Sequence, residues 1–420
     1  MRRSNLNAAH SIVVQTVLAL FLAAFTSNAS RADEADNAAI VTAFNTVGYE
    51  LFKQLVATPG NVALSPYSIG SVMAMASSGA TGDTAAEMTS VLHQQFNRDR
   101  VDVANADVLA ILKSYGAPAA SPTCPNGLFL SMNRCASVKR ARRGCPDMGY
   151  GQGTRCVEAT IESRSSALNV ANAIMLTKDA VVSDAYVNRL ERDYAAKIFR
   201  DAGPVEVNSW VNRVTGGKID HILDRLVSEG LVLINTVYLK QAWRNPFVAK
   251  ETTSEDFHLS PNKTIKVATM HKCSDFPVVS RPGFRAIRLS YDTRSLSMVI
   301  ILPDTVDGTT PLAQRLDASE LNSLLVSLRQ SRVYADLSLP RFRMSFAVEL
   351  KSKFEQLGMV RPFDKNRADF SGITGRQNDP AKLWIDKILH RVAIEVTENG
   401  TEAAAATAIS VAEVLNYSQI

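Results

Sequence analysis

The sequence predicts an α+β fold, because both helical and strand patterns occur along the chain. Apolar residues recur at helical spacing between 40 and 55, the pattern of a helix packed on a core. Residues 231–239 are apolar on both faces, as in a strand covered on both sides, and residues 389–396 alternate as a half-buried strand. The 420 residues, 46% of them hydrophobic and 21% charged, have the composition of an ordinary globular protein.

Residues 1–32 have the features of a secretory signal peptide. Arg2 and Arg3 precede an apolar run over 12–25, and small residues lead to a cleavage position after Ala29 or Ala32. The alternative, a membrane anchor, is disfavoured because the run is short for a bilayer span, and no other segment is apolar enough to cross one. We therefore expect a mature chain that is secreted, extracellular or periplasmic. Removal of three arginines and no acidic residue lowers its formal charge from +5 to +2.

Helices are predicted for most of the first part of the mature chain. A predicted helix over 33–53 is stopped by a Pro-Gly pair. The stretch that begins at Asn61 predicts a short buried strand running into a helix, with Ser65 and Ser68 as small polar residues. Ser68 also has the chemistry of a helix N-cap. Further helices are predicted over 71–78, from Thr84, over 101–115 and over 183–199.

Strands are predicted for the second part of the chain, where β-branched and apolar residues alternate or form short runs. A turn at Pro261-Asn262-Lys263 separates two alternating segments and predicts a hairpin. The predicted strands are 168–176, 231–239, 253–259, 264–270, 297–303 and 389–396.

Residues 116–164 form an insert that is rich in Gly, Pro, Ser, Cys and Arg and holds four of the five cysteines. Two units, offset by 21 residues, each begin with Cys-Pro and end with Arg-Cys, which favours the disulfides Cys124–Cys135 and Cys145–Cys156 among three connectivities. Each closed loop would contribute roughly 3 kcal/mol of local order in the chain-entropy model. A zinc site is the alternative, although no histidine lies nearby. Cys273 is expected to be a free, buried thiol.

The insert is also basic. It carries seven lysines and arginines against three acidic residues, a formal charge of +4, so the rest of the mature chain is slightly acidic. A basic surface of this kind could bind a polyanion or a cell surface. The alternative is a solvated surface loop without a ligand.

A segment of small residues follows the alternating strand 389–396. As a helix its alanines have high propensity, but small side chains would also let the segment enter between two strands of a sheet without overpacking. In that case Thr401, Ala403, Ala405 and Thr407 would face inward and Gly400 would supply a backbone hinge. The residues concerned are Glu398, Gly400, Thr401, Glu402, Ala403, Ala404, Ala405, Ala406 and Thr407.

These motifs resemble those of the serpins, a family of serine protease inhibitors, along most of the chain. The string E-N-G-T-E-A-A-A-A-T after an I-x-V strand resembles the serpin hinge, and N-x-x-x-S-P-x-S-I at 61–69 resembles a second serpin motif. The resemblance implies a single domain over 33–420 with three β-sheets, about nine helices and an exposed reactive-centre loop, and it implies no cofactor. Residues 398–420 would form the hinge and that loop, from Thr401 to about Tyr417, offered to a protease as bait.

The resemblance also implies roles for particular side chains. His390 would be hydrogen-bonded beneath the central sheet near Ser65 and Asn235, in the region called the shutter. Arg341 and Glu398 would form a salt bridge at the top of that sheet, although either could be an ordinary exposed charge. The residues assigned to the shutter and to the breach, where the loop first enters the sheet, are Asn61, Ser65, Ser68, Asn235, Trp243, Arg341 and His390.

The scissile bond follows from the family's spacing. A bait residue fourteen positions beyond Gly400 is Val414, so the implied bond is Val414–Leu415. A small branched apolar residue suits the shallow pocket of an elastase-like protease. A register shift of one or two residues would make Leu415 or Tyr417 the bait and would favour a chymotrypsin-like target.

An enzyme is not indicated by the motifs. The sequence holds no G-x-S-x-G elbow, no H-E-x-x-H and no Walker loop, and no serine has a recognisable base. We therefore predict no catalytic site, no metal site and no nucleic-acid partner.

The resemblance implies suicide inhibition, in which the target protease is trapped as an acyl-enzyme while the loop inserts into the central sheet. The chain ends at Ile420, whereas serpins continue with a strand that anchors the loop and two core strands, so we expect a truncated member. The alternative function is that of a non-inhibitory or inactive serpin-fold binding protein acting through the insert. The hinge favours inhibition, and the missing tail favours the alternative.

Overall fold

The computed structural model describes residues 32–57, 60–115, 129–131, 134–136, 167–176, 180–225, 230–293, 296–376 and 383–401. The predicted signal peptide except Ala32, most of the insert and the loop after Thr401 lie outside these ranges. Within them, no helix combines the length and the apolar character needed to cross a membrane.

Ten α-helices are present in the described part of the chain, and side-chain caps fix where several begin. Asp33, Ser65, Asn97 and Ser183 each accept a hydrogen bond from the backbone N–H three residues further on. The helices are α1 Glu34–Leu55, α2 Pro66–Ser77, α3 Gly82–Val91, α4 Arg98–Ser114, α5 Asp184–Tyr194, α6 Pro204–Val214, α7 Thr309–Arg315, α8 Ala318–Gln330, α9 Lys351–Gln356 and α10 Ser371–Thr374.

Ser65, and not Ser68, is the N-cap of α2. Pro66 occupies the first helical position, where its fixed φ suits the helix and its missing N–H would have had no intrahelical partner. Ser68 lies inside the helix, and its hydroxyl donates to Ser65 Oγ at 2.8 Å. The predicted cap at Ser68 is therefore wrong, because the proline allows the helix to begin earlier.

The strands mostly extend the predicted segments by a few residues at either end, because the ladders continue beyond the apolar runs. The short buried strand predicted from Asn61 is wrong, because residues 61–65 pair with no neighbouring strand and are exposed or only partly buried. They are β1 Phe129–Ser131, β2 Arg134–Ala136, β3 Ala167–Leu176, β4 Lys197–Arg200, β5 Leu231–Ala242, β6 Thr253–Ser260, β7 Lys263–Phe276, β8 Val278–Arg281, β9 Phe284–Ser290, β10 Ser297–Pro303, β11 Val333–Pro340, β12 Phe342–Glu349, β13 Ile385–Thr397 and β14 Gly400–Thr401.

These strands form three sheets of three or more strands and one short hairpin, β1-β2. The largest sheet has six strands in the order β12-β13-β14-β5-β3-β4. In it, β13 pairs in parallel with β5 from Ile385–Leu231 to Val392–Val237, and β14 lies between the same two strands further along. The other two sheets are antiparallel, with the orders β11-β7-β6 and β10-β9-β8. The α+β fold with three sheets agrees with the prediction.

The largest hydrophobic core packs α1, α2, α4 and α5 against the six-stranded sheet. Helix α2 is buried along nearly its whole length, from Ser68 to Ser77. Its small residues permit this, since a Cβ atom added at Gly70 would lie 2.1 Å from Cγ of Phe44 on α1. Fully burying each large apolar side chain stabilises the fold by about 1.5–3 kcal/mol. The result is a tightly packed helix directly beneath the central strands.

The predicted helix over 183–199 ends early, at Tyr194. Ala195 adopts the left-handed conformation with φ of 46°, and its N–H caps the helix by donating to Leu190 O. The chain then forms β4, which pairs in parallel with β3. Phe199 is buried in β4 and packs edge-on against Trp210 with ring centroids 5.5 Å apart. Residues 197–199 were therefore predicted wrongly as helix, because the packing of Phe199 favours a strand at the edge of the sheet.

Cys273 on β7 is disulfide-bonded, so the expectation of a free thiol is wrong. The chain has five cysteines, and the other four belong to the insert. A bond within the chain therefore uses an insert cysteine, and the two predicted local disulfides cannot both form beside it. Of the predicted pairs, the structure describes only Cys135, on β2 opposite Leu130. Cys124, Cys145 and Cys156 lie outside the described residues.

We expect non-reducing peptide mapping of the mature chain to recover a peptide containing Cys273 joined to a peptide from 116–164. The reason is that one insert cysteine is needed to complete the bond at β7. Alkylation of the unfolded chain before reduction supplies the control, because Cys273 should stay unlabelled. Labelling of Cys273 without reductant, together with both local pairs in the insert, would contradict this assignment.

Candidate functional site

The hinge predicted at 398–407 begins inside the six-stranded sheet. Gly400 pairs with Thr397 of β13 and with Ala242 of β5, and Thr401 pairs with Val396 and Gln241. Both pairings are antiparallel, so β14 is hydrogen-bonded on its two sides. For Gly400 and Thr401 the strand interpretation is therefore correct and the helical alternative is not. The residues from Glu402 onward lie outside the described part of the chain.

Thr401 is fully buried, with 0% of its surface exposed, which is the inward orientation expected for it. Its Oγ1 lies 2.6 Å from the hydroxyl oxygen of Tyr291. The Tyr291 ring stacks on Trp243 with centroids 4.7 Å apart and planes within 4°. Burial raises the pKa of Tyr291 to about 12, so its hydroxyl keeps its proton at neutral pH. The site thus accepts a small hydroxyl group and has no partner for a charged one.

The turn that precedes Thr401 is held by backbone and indole hydrogen bonds. Trp243 Nε1 donates to Thr397 O at 2.8 Å, and Trp243 N donates to Asn399 O at 2.9 Å. Phe247 N donates to Glu398 O at 2.9 Å. Three successive carbonyls of the turn are therefore satisfied by one short segment that follows β5. Trp243 lies where the chain enters the sheet, the position implied for the breach.

Glu398 is buried beside that turn and has two partners. Arg341 Nε lies 3.6 Å from Glu398 Oε2, so the implied salt bridge is present. Thr252 Oγ1 donates to Glu398 Oε1 at 2.6 Å. The Arg341 side chain is half exposed, so solvent screens the ion pair. Its contribution to the stability of the fold is therefore about 1 kcal/mol or less. The hydrogen bond from Thr252 is shorter than the ion-pair contact, at 2.6 Å against 3.6 Å.

Gly400 is required by the close approach of β5. A Cβ atom at this position would lie 2.2 Å from Gln241 O and 2.8 Å from Ala242 Cα. These are backbone atoms within a paired strand, so they cannot move aside without breaking the ladder. Any larger residue would force the hinge out of the sheet at its first paired position.

A relay of side-chain hydrogen bonds crosses the sheet below the hinge. Ser65 N donates to His390 Nε2 at 3.3 Å, and His390 Nδ1 lies 2.8 Å from Asn235 Oδ1. Asn235 Nδ2 donates to Asn172 Oδ1 at 2.6 Å, and Asn172 Nδ2 donates to Ser71 Oγ at 3.0 Å. This shutter relay, Ser65–His390–Asn235–Asn172–Ser71, joins α2 to β13, β5 and β3.

The direction of the relay fixes the protonation of His390. Because Nε2 accepts the Ser65 N–H, the ring proton must sit on Nδ1, from which it is donated to Asn235. A second proton on Nε2 would face the Ser65 N–H donor. Burial, with 1% of the residue exposed, lowers the pKa of His390 to about 3. The imidazole is therefore neutral and acts as a structural link, not as a base.

The structure brings together most of the predicted site residues that it describes. Ser65, Asn235 and His390 share the relay, and Ser68 joins it through Ser65. Asn61 is exposed and takes no part in the relay. The remaining predicted positions, Glu402, Ala403, Ala404, Ala405, Ala406, Thr407, Val414 and Leu415, lie outside the described residues.

Four contributing residues were missed by the sequence analysis: Ser71, Asn172, Thr252 and Tyr291. Asn172 interrupts an otherwise apolar strand, and a buried amide in such a strand indicates a polar partner inside the sheet. That pattern could have identified it. Thr252 and Tyr291 stand at strand ends in ordinary surroundings, and the sequence carries no pattern that distinguishes them.

Within the described residues, the hydroxyl of Ser338 has a histidine neighbour that the sequence did not reveal. Ser338 Oγ on β11 lies 3.2 Å from Nδ1 of His271 on β7, and His271 Nε2 lies 2.9 Å from Glu255 on β6. Nε2 also lies 3.0 Å from Thr253 Oγ1. The residues belong to neighbouring strands, and Ser338 is exposed to solvent. We interpret the group as a cross-strand hydrogen-bond network, not as a nucleophile with its base.

Comparison with known proteins gives one family. A family model described as serpin (serine protease inhibitor) matches residues 42–419. An uncharacterized serpin-like protein of Thermococcus kodakarensis is 31% identical over 384 residues, which are 88% of this chain and 76% of the relative. The leukocyte elastase inhibitor of Bos taurus is 29% identical over 357 residues, 83% of this chain and 82% of the relative.

Solved structures share the fold. Human glycosylated kallistatin superposes with a TM-score of 0.70 at 23% identity, covering 91% of this chain and 92% of that chain. The thermophilic serpin Tengpin in its native state gives a TM-score of 0.68 at 21% identity, covering 92% and 87%. At these identities the likeness concerns the fold alone.

Lowering the pH from 7 to 5 should destabilise the chain partly through His390. Its pKa is about 3 in the folded state and about 6.5 in an unfolded chain, so between these values only the unfolded state takes up the proton. Stability therefore falls as the pH falls, by roughly 2 kcal/mol at pH 5 from this group alone. Urea unfolding at both pH values should show that His390→Asn loses about 2 kcal/mol less than the parent over this interval.

His221→Asn, a change at an exposed histidine, is the matched control and should keep the pH dependence of the parent. Equal pH dependence in the parent and in folded His390→Asn would show that His390 is not held neutral in the relay.

Proposed function

The chain belongs to the serpin family, and from that premise we propose that it inhibits a serine endopeptidase by trapping it as an acyl-enzyme during insertion of its own loop. Most serpins are protease inhibitors, although non-inhibitory members exist. The observation that carries the proposal is the pairing of Gly400 and Thr401 between β13 and β5. A loop that has already entered the sheet has a defined path for the residues that follow.

Inhibition would begin as ordinary proteolysis. The serine oxygen of the protease attacks the carbonyl carbon of the bait residue, Val414 in our register, and the serine proton passes to the protease's own base. The C–N bond between Val414 and Leu415 then breaks, and Leu415 leaves as an amine that takes up the proton. An ester now joins the protease to Val414.

Insertion would then compete with hydrolysis of that ester. Cleavage frees the residues after Thr401, and each one that continues β14 would pair with β13 and β5 together. This exchanges one parallel ladder for two antiparallel ladders. The tethered protease would be dragged along and its active site deformed, so that water no longer completes deacylation. The driving energy is that of a native state held kinetically short of its most stable arrangement.

The register of β14 specifies where the inserted loop would meet the relay. Continuing the antiparallel pairs Thr401–Val396 and Thr401–Gln241 places Thr407 opposite both His390 and Asn235. Thr407 has the same inward parity as the buried Thr401. Its hydroxyl would stand where the direct His390–Asn235 hydrogen bond is now, and it can donate to one partner and accept from the other.

The target and the compartment are parts of the same proposal. Val414 suits an elastase-like protease, and one similar protein is named a leukocyte elastase inhibitor. A shift of the bait to Leu415 or Tyr417 would suit a chymotrypsin-like enzyme. The disulfide at Cys273 favours an oxidising compartment, in line with export through residues 1–32. The basic insert is the proposed contact for a polyanion.

Incubation of the mature chain with elastase, and separately with chymotrypsin, tests the proposal. Denaturing gel electrophoresis should reveal a covalent complex with one of them, and mass spectrometry should find a released peptide that begins at Leu415. A peptide beginning upstream of Ala412 would show that the register is wrong. Cleavage without any complex would instead support a non-inhibitory protein that acts by binding.

Thr401→Arg should convert inhibition into simple substrate turnover. An arginine at this position would be buried unpaired against Tyr291, at a cost of about 3–5 kcal/mol. The bait would still be cut, but the gel would show no trapped complex. Glu402→Arg introduces the same side chain one residue later, on the outward face, and should keep most of the inhibition. Identical behaviour of the two variants would refute the parity of the inserted strand.

Thr407→Val should weaken the cleaved, inserted form while leaving the uncleaved protein unchanged. Valine has the shape of threonine without the hydroxyl, so His390 and Asn235 would lose the bridge between them in the inserted state, at about 1–3 kcal/mol. Thermal unfolding of uncleaved and cleaved protein measures both effects in one experiment. An equal loss of Tm in the two forms, or none in the cleaved form, would contradict the register.

A further inference from the structure

A cavity of about 230 Å³ lies between the C-terminal end of α2, the helix α3 and the N-terminal end of α4. None of its lining residues belongs to the hinge or to the shutter relay. Its walls combine apolar side chains with buried polar groups whose hydrogen-bonding capacity is not fully used. A polar cavity of this size holds several waters or one small organic molecule.

One wall offers unused donors. Gln94 is 7% exposed, and its Nε2 has no hydrogen-bond partner among the described residues. Leaving a buried amide N–H without an acceptor is unfavourable, so a ligand that accepts a hydrogen bond from it would be favoured. Arg98 lines the same cavity and uses Nη2 to bond Ala80 O at 2.5 Å, which leaves further N–H groups available. The N-terminal end of α4 adds positive potential at this wall.

The cavity also offers a hydrogen-bond acceptor. Asp102 is 2% exposed, and its Oδ1 accepts a hydrogen bond from the Tyr194 hydroxyl at 2.5 Å. Arg189 Nε lies 3.3 Å from Oδ2 but is not aligned to donate, so this oxygen has an ionic contact and no hydrogen bond. Burial raises the pKa of Asp102 to about 6, which leaves the carboxylate ionised at pH 7 and above. Asp102 lies one helical turn after Arg98 on the same face of α4.

We propose that this cavity binds a free α-amino acid with a small apolar side chain. The carboxylate would accept hydrogen bonds from Gln94 and Arg98, and the ammonium group would donate to Asp102 Oδ2. The side chain would contact Ala74, Phe96 and Val101, which supply the apolar part of the lining. Arg98 and Asp102 both line the cavity, and Asp102 Oδ2 has an ionic contact with Arg189 but no hydrogen bond, so a zwitterion would supply an acceptor to the one and a donor to the other.

A ligand that carries only a negative or only a positive charge is disfavoured by the same groups. An inorganic anion would meet Asp102, and a simple amine would leave the Gln94 amide without an acceptor. Binding would join the end of α2 to the start of α4, and the stabilisation of the folded chain would increase with the logarithm of the ligand concentration once the site is mostly occupied. The site is separate from the hinge, so the proposal does not depend on inhibition.

Calorimetry and thermal unfolding of the mature chain with L-leucine test the proposal at pH 7.5. We expect saturable binding and a rise in Tm that grows with L-leucine concentration. N-acetyl-L-leucine lacks the ammonium group and L-leucinamide lacks the carboxylate, so each should bind at least ten-fold more weakly. Equal binding of all three probes would overturn the proposal, and absence of binding by L-leucine and L-valine would show that the cavity holds water only.

Two variants locate the binding. Asp102→Asn keeps an acceptor for Tyr194 but removes the charge, and it should weaken L-leucine binding at least ten-fold. Asp99→Asn makes the same chemical change on the same helix at a side chain that is 85% exposed, and it should leave binding unchanged. Gln94→Met, which removes only the amide, should weaken binding several-fold and covers the case in which Asp102→Asn fails to fold. Unaltered affinity in folded Asp102→Asn or Gln94→Met would contradict the assignment.

Discussion

The whole structure depends on one constraint: β13 and β5 can pair with each other or with an inserted chain, but not with both at the same level. From Ile385–Leu231 to Val392–Val237 they pair in parallel. At Val396 and Gln241 β14 has taken that place. The sheet is thus closed along most of its length and opened by two residues at one end. Two antiparallel ladders contain more hydrogen bonds than one parallel ladder, so the proposed further insertion would add backbone hydrogen bonds to the sheet.

The side chains at this boundary resist early opening at two levels. At the open end, Trp243 and Phe247 hold the carbonyls of the turn, and Glu398 is held by Thr252 and Arg341. Further down, the His390–Asn235 hydrogen bond crosses directly from β13 to β5. The two levels act on different steps. Contacts around the turn set how easily the hinge enters, whereas the relay must break before the strands can separate below it.

Much of this arrangement could be predicted from the sequence, because residue size and hydrophobic periodicity reflect what each helix and strand requires locally. Gly400 and Thr401 stand out since only small residues fit between paired strands, and α2 is recognisable from its run of small residues. Tyr291 was not predictable, because a tyrosine after a strand has many possible partners and its choice of Thr401 depends on tertiary placement. The same holds for Cys273, whose bonding depends on which distant segment lies near β7, and for α5, where packing of Phe199 overrides helical spacing.

The spacing between hinge and relay gives a physical reason for the residues that connect them. Thr401 lies beside Tyr291, and in the proposed insertion a continued strand register would bring Thr407 to the level of His390 and Asn235. The positions between are one glutamate and four alanines, and the alanines would add little volume between the two strands. Resistance to the proposed insertion would then be concentrated where hydroxyl groups meet buried polar partners, at Thr401 and at Thr407. Passage of the alanines would cost little, so breaking the shutter relay would be the step that decides whether the native state is kept.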